Sequence, residues 1–234
     1  MSLIELLEWD SSFFGFPIGR IKGGVRPNEI EPAVREADER NLRCTYLLAP
    51  ASDHALLDIA QRNGFLVLDV RIELEREVAG HAASMTGLRR GSIEDLAQLR
   101  SIARESFRQT RFFADDGFPP ERSAELYVEW LCKGLRGDSG SIVAVSNDTR
   151  GFILCELSPS SGKGMIGLVG VASDIAGQGM GSALVAGAGT LFSDASLRIA
   201  TVVTQGHNVA AQRLYQKYGY RTTRVHFWLH RWRP

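Results

Sequence analysis

Three glycines at alternate positions, Gly177, Gly179 and Gly181, stand in the stretch VASDIAGQGMGSALVAG, between a strand-like segment and a run with helical character. Without Cβ atoms such a loop lets backbone N–H groups converge, and the helix start behind it adds partial positive charge. The chemistry it suits is the holding of a phosphate. Downstream, in NVAAQRLYQKYGY, Asn208 and Tyr215 are seven positions apart. That is two turns of an α-helix, so both project from one face and can address one ligand.

Three kinds of phosphate loop compete for the first motif. A Walker loop needs Gly-Lys-Ser/Thr, and no lysine occurs between Lys163 and Lys217. The dinucleotide fingerprint needs a third glycine where Ser182 stands and an acid at the end of the next strand, which here ends VVTQG. The third kind is an acyl-CoA loop. VASDIAGQGMGSAL resembles the pyrophosphate loop of the GCN5-related N-acetyltransferases (GNAT), roughly V-x-P-x-x-R/Q-G-x-G-x-G/A, with Ser173 in place of the proline and Ala176 in place of Arg or Gln. The last helix of that family reads N-x-x-A-x-x-L/F-Y-x-x-x-G-F, and this chain matches at Asn208, Ala211, Leu214, Tyr215 and Gly219, with Tyr220 in place of Phe. Taken singly, the loop reads as well as a tight turn, Asn208 as a helix N-cap and Tyr215 as a core aromatic. Two motifs in the family's order weigh against coincidence.

The resemblance implies transfer of an acyl group from acetyl-CoA to an amine in a ternary complex. Ala176, Gly177, Gln178, Gly179, Met180, Gly181 and Ser182 would hold the pyrophosphate through the backbone, with Asn208 and Ala211 on the later helix also in the cofactor site. In the family, the strand before the loop splays from its neighbour to admit the pantetheine arm. Here that edge is Val169, Gly170 and Val171, where an N–H can polarise the thioester carbonyl. Tyr215 is the candidate general acid for the departing thiolate. Asp69, on the polar side of its strand, is the candidate base, ahead of His207, although a solvated acid fits Asp69 equally well.

These residues need a scaffold, and the hydrophobic pattern outlines one. Strands are expected at FPIGRIKGG, CTYLLAP, FLVLDVRIELE, GLRRG, SGSIVAVSN, RGFILCELS, GMIGLVGVA, LRIATVVTQ and RTTRVHFWLHRW. In FLVLDVRIELE, Leu66, Leu68, Val70, Ile72 and Leu74 share one face, so a half-buried strand is expected. Helices are expected over EIEPAVREADERN, over DHALLDIAQRNGF (capped by Asp53 and ended by Gly64), and over SIEDLAQLRSIARESF, with Ser92 and Asp95 at capping-box spacing. Further helices are ERSAELYVEWLCKGL, SALVAGAGTLFSDA and the NVAAQ segment, while RQTRFFADDGFPP reads as a loop. The order gives an α/β protein with a mixed sheet and helices on both faces. The resemblance makes this a GNAT fold with splayed central strands.

EVAGHAASMTG is small, polar and aperiodic, so a linker near residue 82 is expected, dividing an N-terminal unit (1–82) from a transferase domain (83–234). ALLDIAQRNGFLVLDVRIELER and AAQRLYQKYGYRTTRVHFWLHR align without gaps, with Gly64 on Gly219, and Ala60 falls where Tyr215 stands. The first unit thus reads as a smaller, degenerate copy that binds no CoA and lines the acceptor cleft, or else as a common local pattern.

With 27 Lys and Arg against 27 Asp and Glu, the chain has no net charge and no global field for nucleic acid or an anionic membrane. Cys44, Cys132 and Cys155 have no metal-like or CxxC spacing, so buried thiols, no metal and a cytoplasmic setting are expected; a homodimer is compatible with this. EWDSSFFGFPIGRI, SFRQTRFFADDGFP and ELYVEWLCKGLRGD resemble stretches of the bacterial dTDP-fucosamine acetyltransferases, which acetylate a 4-amino group on a dTDP-linked sugar. That points to a nucleotide-sugar acceptor, with Arg111 on a phosphate and Phe112 or Phe14 against a ring. Another amine acceptor (a peptide N-terminus, an antibiotic, a small metabolite) and a non-catalytic CoA-binding module stay open.

Overall fold

The computed structural model describes residues 2–78 and 85–233. In chain order its elements are β1 (Ile4–Leu6), α1 (Glu8–Phe14), β2 (Ile18–Ile21), α2 (Ile30–Glu39), β3 (Cys44–Pro50), α3 (His54–Arg62), β4 (Leu66–Glu77), β5 (Leu88–Arg90), α4 (Leu96–Ser106), α5 (Arg111–Ala114), α6 (Pro120–Arg136), β6 (Ser141–Ser146), β7 (Gly151–Ser158), β8 (Lys163–Val171), α7 (Met180–Asp194), β9 (Ile199–Gln205), α8 (Val209–Lys217) and β10 (Arg221–Trp232). They gather into two compact units, one of Met1–Ile72, Gln109–Ser123 and Arg224–Pro234, the other of Glu73–Arg108 and Ala124–Thr223. The compact units are therefore not the two stretches on either side of residue 82, and the linker expected there lies outside the described residues.

In the first unit β1 is antiparallel to β2, β2 parallel to β3, and β3 antiparallel to β10 with Trp232 opposite Cys44 and His226 opposite Pro50. The apolar run of β3 is buried on both sides, as an internal strand requires. Ile30, Ala33 and Ala37 of α2 and Leu56 and Ala60 of α3 pack with Leu47, Ala49 and Leu229 as one core. The carboxylate of Asp53 accepts from the Leu56 N–H at 3.0 Å and starts α3; Gly64, at φ +84°, ends it. β4 departs from the clean alternation expected of it. Leu66 is 67% and Val67 43% exposed, and full burial is reached only at Leu74, so its opening residues contribute little to a core.

The other side of β3 and β10 is aromatic. Phe14 stacks on Phe112 with centroids 5.5 Å apart, and Phe118 meets both of them as well as Trp232. The stretch expected as a loop, RQTRFFADDGFPP, contains α5, held in place by Asp115. Its carboxylate accepts from His230 Nδ1 at 2.5 Å, from Trp232 Nε1 at 2.9 Å and from the Gly117 N–H at 3.0 Å. A Cβ on Gly117 would sit 2.1 Å from the Trp232 ring, so only glycine lets the chain pass this close.

In the second unit β5, β6, β7 and β8 are successively antiparallel and β9 is parallel to β8. α7 packs on one face, where a Cβ on Gly164 would meet the Phe192 ring at 2.4 Å; on the other, a Cβ on Gly134 of α6 would meet Leu154 at 2.5 Å. Helices on both faces of a mixed sheet follow the expectation. The N-terminus of α4 is preceded by a turn in which the Ser92 N–H donates to Asp95 Oδ2 at 3.0 Å.

The two aligned segments share their local geometry at a constant offset. Asp53 and Asn208 cap α3 and α8 in the same way, Gly64 and Gly219 both have φ +84°, and β4 and β10 are each 12 residues long. Each closing strand crosses the division between the units: β4 belongs to the first as far as Ile72 and to the second from Glu73, and β10 to the second as far as Thr223 and to the first from Arg224. The Arg233 N–H donates to the Arg43 carbonyl in the first unit at 3.0 Å, and the Val78 N–H to the Arg198 carbonyl in the second at 2.9 Å.

Burial, aided by the neighbouring Arg111 cation, holds the His230 pKa down to about 4, although Asp115 pulls it upward. For Asp115 burial pushes the carboxyl up, but the hydrogen bonds from His230, Trp232 and Gly117 outweigh it and leave it below its ordinary value. An unfolded chain takes a proton on this histidine near the ordinary value of 6.5, and the folded unit resists it until about 4. Stability from His230 is therefore complete above 6.5 and declines as pH falls towards 4, by up to about 3 kcal/mol. Urea midpoints between pH 7 and 5 should drop more steeply in the wild type than in His230→Gln; equal slopes would contradict the assignment.

Candidate functional site

The glycine loop joins β8 to α7 in the second unit. Ser173–Ile175 forms a 3-10 turn, Ala176 is extended (φ −59°, ψ 140°), and Gly177 and Gly179 lie at φ +80° and +95°. Gly179 is the N-cap of α7 and has no side chain with which to cap it. The three glycines thus serve different ends. Gly177 and Gly179 meet a left-handed backbone requirement, and a Cβ on either would enter open space. Gly181 is needed for close approach to α8, where an added Cβ would lie 3.3 Å from Leu214.

Among the described residues, the N–H groups of Gly177, Gly179, Met180, Gly181 and Ser182 donate to nothing in the protein. The first intrahelical bond after them is from Ala183 to the Gly179 carbonyl at 3.0 Å. Five unspent donors at a helix N-terminus form a cradle for an anion, the more so because the loop is exposed. Ala176 and Gln178 are partly engaged, their N–H groups bonding to Ser173 at 3.3 Å and Ile175 at 3.2 Å. The methyl of Ala176 supplies no charge. The nearby Arg150 is ion-paired with Asp174.

β8 carries the second feature. It is paired to β7 along its whole length, Gly151 opposite Val171 and Ser158 opposite Lys163, but to β9 only from Lys163 to Ile166. From Gly167 onward the two central strands part. A register shift between Leu154 and Cys155 leaves one extra residue in β8 at this point. The Ala172 N–H donates towards β7, to the Arg150 carbonyl at 2.9 Å. Alternation then turns the N–H groups of Val169 and Val171 away from β7, into the gap, while Gly170 faces β7. A Cβ on Gly170 would meet the Phe152 ring at 2.4 Å, which accounts for that glycine by packing.

On α8, the side-chain oxygen of Asn208 accepts from the Ala211 N–H at 3.1 Å, so Asn208 acts as an N-cap and only its amide N–H groups remain to donate outward. Tyr215 is 6% exposed, its ring 5.9 Å from that of Tyr220. Burial pushes its phenol pKa up, and the hydroxyl makes no hydrogen bond among the described residues. It stays protonated and free to donate. Asn208 is thus a helix N-cap and Tyr215 a buried ring, as the local reading of each has it.

The remaining candidates lie in the first unit. Asp69 is half-buried on β4 and does not share a unit with Tyr215. Phe14 and Phe112 are buried at 7% and 4% exposure within the aromatic cluster, so they build the core rather than a ring-binding surface. Arg111 Nη1 bonds to His230 Nε2 at 2.7 Å, and Arg111 is half-buried. Sequence reasoning passed over Tyr46, Asp115, Trp228 and His230. The signal was in β10, where W-L-H-R-W places Trp228, His230 and Trp232 on one face.

Comparison with known proteins bears on the family and on the fold. The sequence model described as "Acetyltransferase (GNAT) family" matches residues 96–220. The spore coat polysaccharide biosynthesis protein SpsD of Bacillus subtilis (strain 168) is similar over 139 residues at 28% identity, covering 59% of this chain and 48% of that protein. The chain thus matches about half the length of this curated relative. Among solved structures, a GCN5-related N-acetyltransferase from Sphaerobacter thermophilus matches with a TM-score of 0.64 at 15% identity, over 99% of this chain and 76% of that one. A tandem GNAT protein from the clavulanic acid biosynthesis pathway matches with a TM-score of 0.57 at 13% identity, over 92% and 75%. The cradle, the parted strands and the α8 tyrosine lie in or beside the matched stretch, and the chain belongs to the acetyltransferase (GNAT) family.

Proposed function

We propose that the chain transfers an acetyl group from acetyl-CoA directly to the amine of a small-molecule acceptor, and that the acceptor is a nucleotide-linked amino-deoxy sugar. The observation that carries the transfer reading is the row of five unspent N–H donors between Gly177 and Ser182, beside an edge of β8 that, among the described residues, pairs with no strand beyond Ile166. The pyrophosphate of CoA fits the first, and an extended pantetheine chain fits the second by adding to the edge of β8. In this reading the N–H of Val169 or Val171 stabilises the oxyanion as the amine attacks the thioester carbon. Tyr215 then gives its proton to the departing sulfur, a role that suits a phenol held un-ionised by burial. The amine must reach the thioester as a free base, and Asp69 is retained as the proposed acceptor of its proton.

The sugar reading is supported by the stretch shared with SpsD, whose description places that protein in spore coat polysaccharide biosynthesis. We read the first unit, which has no glycine cradle, as a degenerate copy devoted to the acceptor. Transfer to a different amine, or CoA binding without turnover, would leave the same cradle but fail the assay below.

Release of CoA from acetyl-CoA should be fastest with dTDP- or UDP-linked amino sugars in a panel that also holds peptides, an aminoglycoside and polyamines. Turnover only with peptides would overturn the sugar reading, and none with any amine would leave a binding module. Tyr215→Phe should lower kcat about a hundredfold while leaving acetyl-CoA affinity within about twofold, since the proton is needed only as the thiolate leaves. Unchanged kcat would remove Tyr215 from the reaction.

A further inference from the structure

The aromatic side of the first unit holds a polar cluster that the transfer chemistry leaves unused. Its centre is the guanidinium of Arg111, whose carbon lies 4.3 Å from the centre of the Tyr46 ring, 4.3 Å from that of Phe112 and 4.1 Å from that of Trp228. With aromatic rings over its faces, the group can reach a further partner only through the N–H groups at its edge. One of these, on Nη1, donates to His230 Nε2 at 2.7 Å. An arginine has no acceptor, so this bond fixes the proton of His230 on Nδ1, where it is given to Asp115 at 2.5 Å.

Asp115 is fully committed to His230, Trp232 and Gly117 and has no lone pair directed at Arg111. Asp10 is the other carboxylate within electrostatic range, and it makes no hydrogen bond to Arg111; burial raises its pKa. Among the described residues the remaining N–H donors of Arg111 therefore have no partner, although the group is held by one hydrogen bond and three rings. The imidazole and Asp115 act as positioning residues for this cation.

A second, independent feature adjoins it. Tyr46 is 1% exposed, and its hydroxyl is buried with no hydrogen-bond partner. Of the neighbouring charges, Arg111 alone favours the ionised form of that phenol, and the effect is outweighed by burial. A buried hydroxyl without a partner is costly, and a site that binds nothing would be more stable with phenylalanine there. Two sets of unspent donors, one cationic and one neutral, lie around the same ring.

We propose that this cluster is an oxyanion-binding site of the first unit, in which the free edge of Arg111 and the hydroxyl of Tyr46 hold the diphosphate of a nucleoside diphosphate, with Trp228 beside them to stack on the base. Guanidinium donors in a rigid fork suit two oxygens of one phosphate, and the half-buried indole offers a ring to a planar base. The site stands on the first unit alone. Under the acceptor reading above, the nucleotide of a sugar nucleotide is its occupant. Failure of the site would remove that occupant without touching the cradle of the second unit.

Calorimetric titration of the full chain with UDP and with inorganic pyrophosphate tests it, each in the presence of saturating CoA so that the cradle is filled. Wild type should bind UDP more tightly than pyrophosphate. Arg111→Lys should weaken both about tenfold, the loss expected when a charge-assisted pair is replaced by a single point contact. Tyr46→Phe should weaken both severalfold while its unfolding temperature stays equal to or above that of wild type, and Trp228→Leu should weaken UDP alone. Equal affinity of wild type for the two anions would overturn the base-stacking part. Absence of binding of either anion, or wild-type affinity in both Arg111→Lys and Tyr46→Phe, would overturn the site itself. Failure of CoA to bind in the same experiment would count against the transfer reading instead.

Discussion

A backbone can hold an anion only where several N–H groups in a row are kept from pairing with the rest of the fold. Here that condition is met at the turn from β8 into α7, and it depends on Gly177 and Gly179 holding positive φ angles that a side-chain-bearing residue adopts at a cost. The surroundings maintain the turn. β8 is fixed by β7 along its whole length and by β9 only as far as Ile166, and α7 lies close to the sheet because Gly151, Gly164 and Gly187 leave room for Met180, Phe192 and Leu88. The same one-sided pairing leaves β8 an open edge beside the turn. The turn and the open edge thus adjoin on one strand, which loses its neighbour after Ile166.

The first unit is built differently at the start of its helix α2. Where α7 begins at an uncapped glycine, α2 follows a turn through Pro27–Glu29 in which the Glu29 carboxylate accepts the Arg26 N–H at 2.8 Å. A carboxylate in the first turn places negative charge at the helix start, where the dipole favours it. The unit's distinctive chemistry moves to its aromatic side, where a neutral histidine between an arginine and an aspartate fixes all three. Net neutrality of the whole chain hides this local separation of charge.

Much of this was legible in the sequence where a local rule decides the outcome. The glycines at 177 and 179, the caps at Asp53 and Asn208 and the run of β3 are governed by neighbours a few residues away. Leu66 and Val67 misled because alternation gives a strand its faces but not its cover, which comes from remote segments. The same holds for Arg111, Phe112 and Phe14. Their types suggested a ligand surface, but segment 109–123 packs against β10, more than a hundred residues away in sequence, and turns both phenylalanines into core. Asp115 and His230 were missed for the same reason, since each meets the other across more than a hundred residues of sequence. That β4 and β10 each run from one unit into the other could not be read from an alignment that shows only that the two segments are alike.

The central claim, that the backbone of the glycine turn holds the cofactor, is tested most directly by the affinity of Gly179→Ala for acetyl-CoA, measured by calorimetry alongside its circular dichroism spectrum. The added methyl meets nothing at that position, so the fold should persist, while the strained φ should turn the amides away and weaken binding about tenfold or more. Wild-type affinity in a folded Gly179→Ala protein would contradict the account.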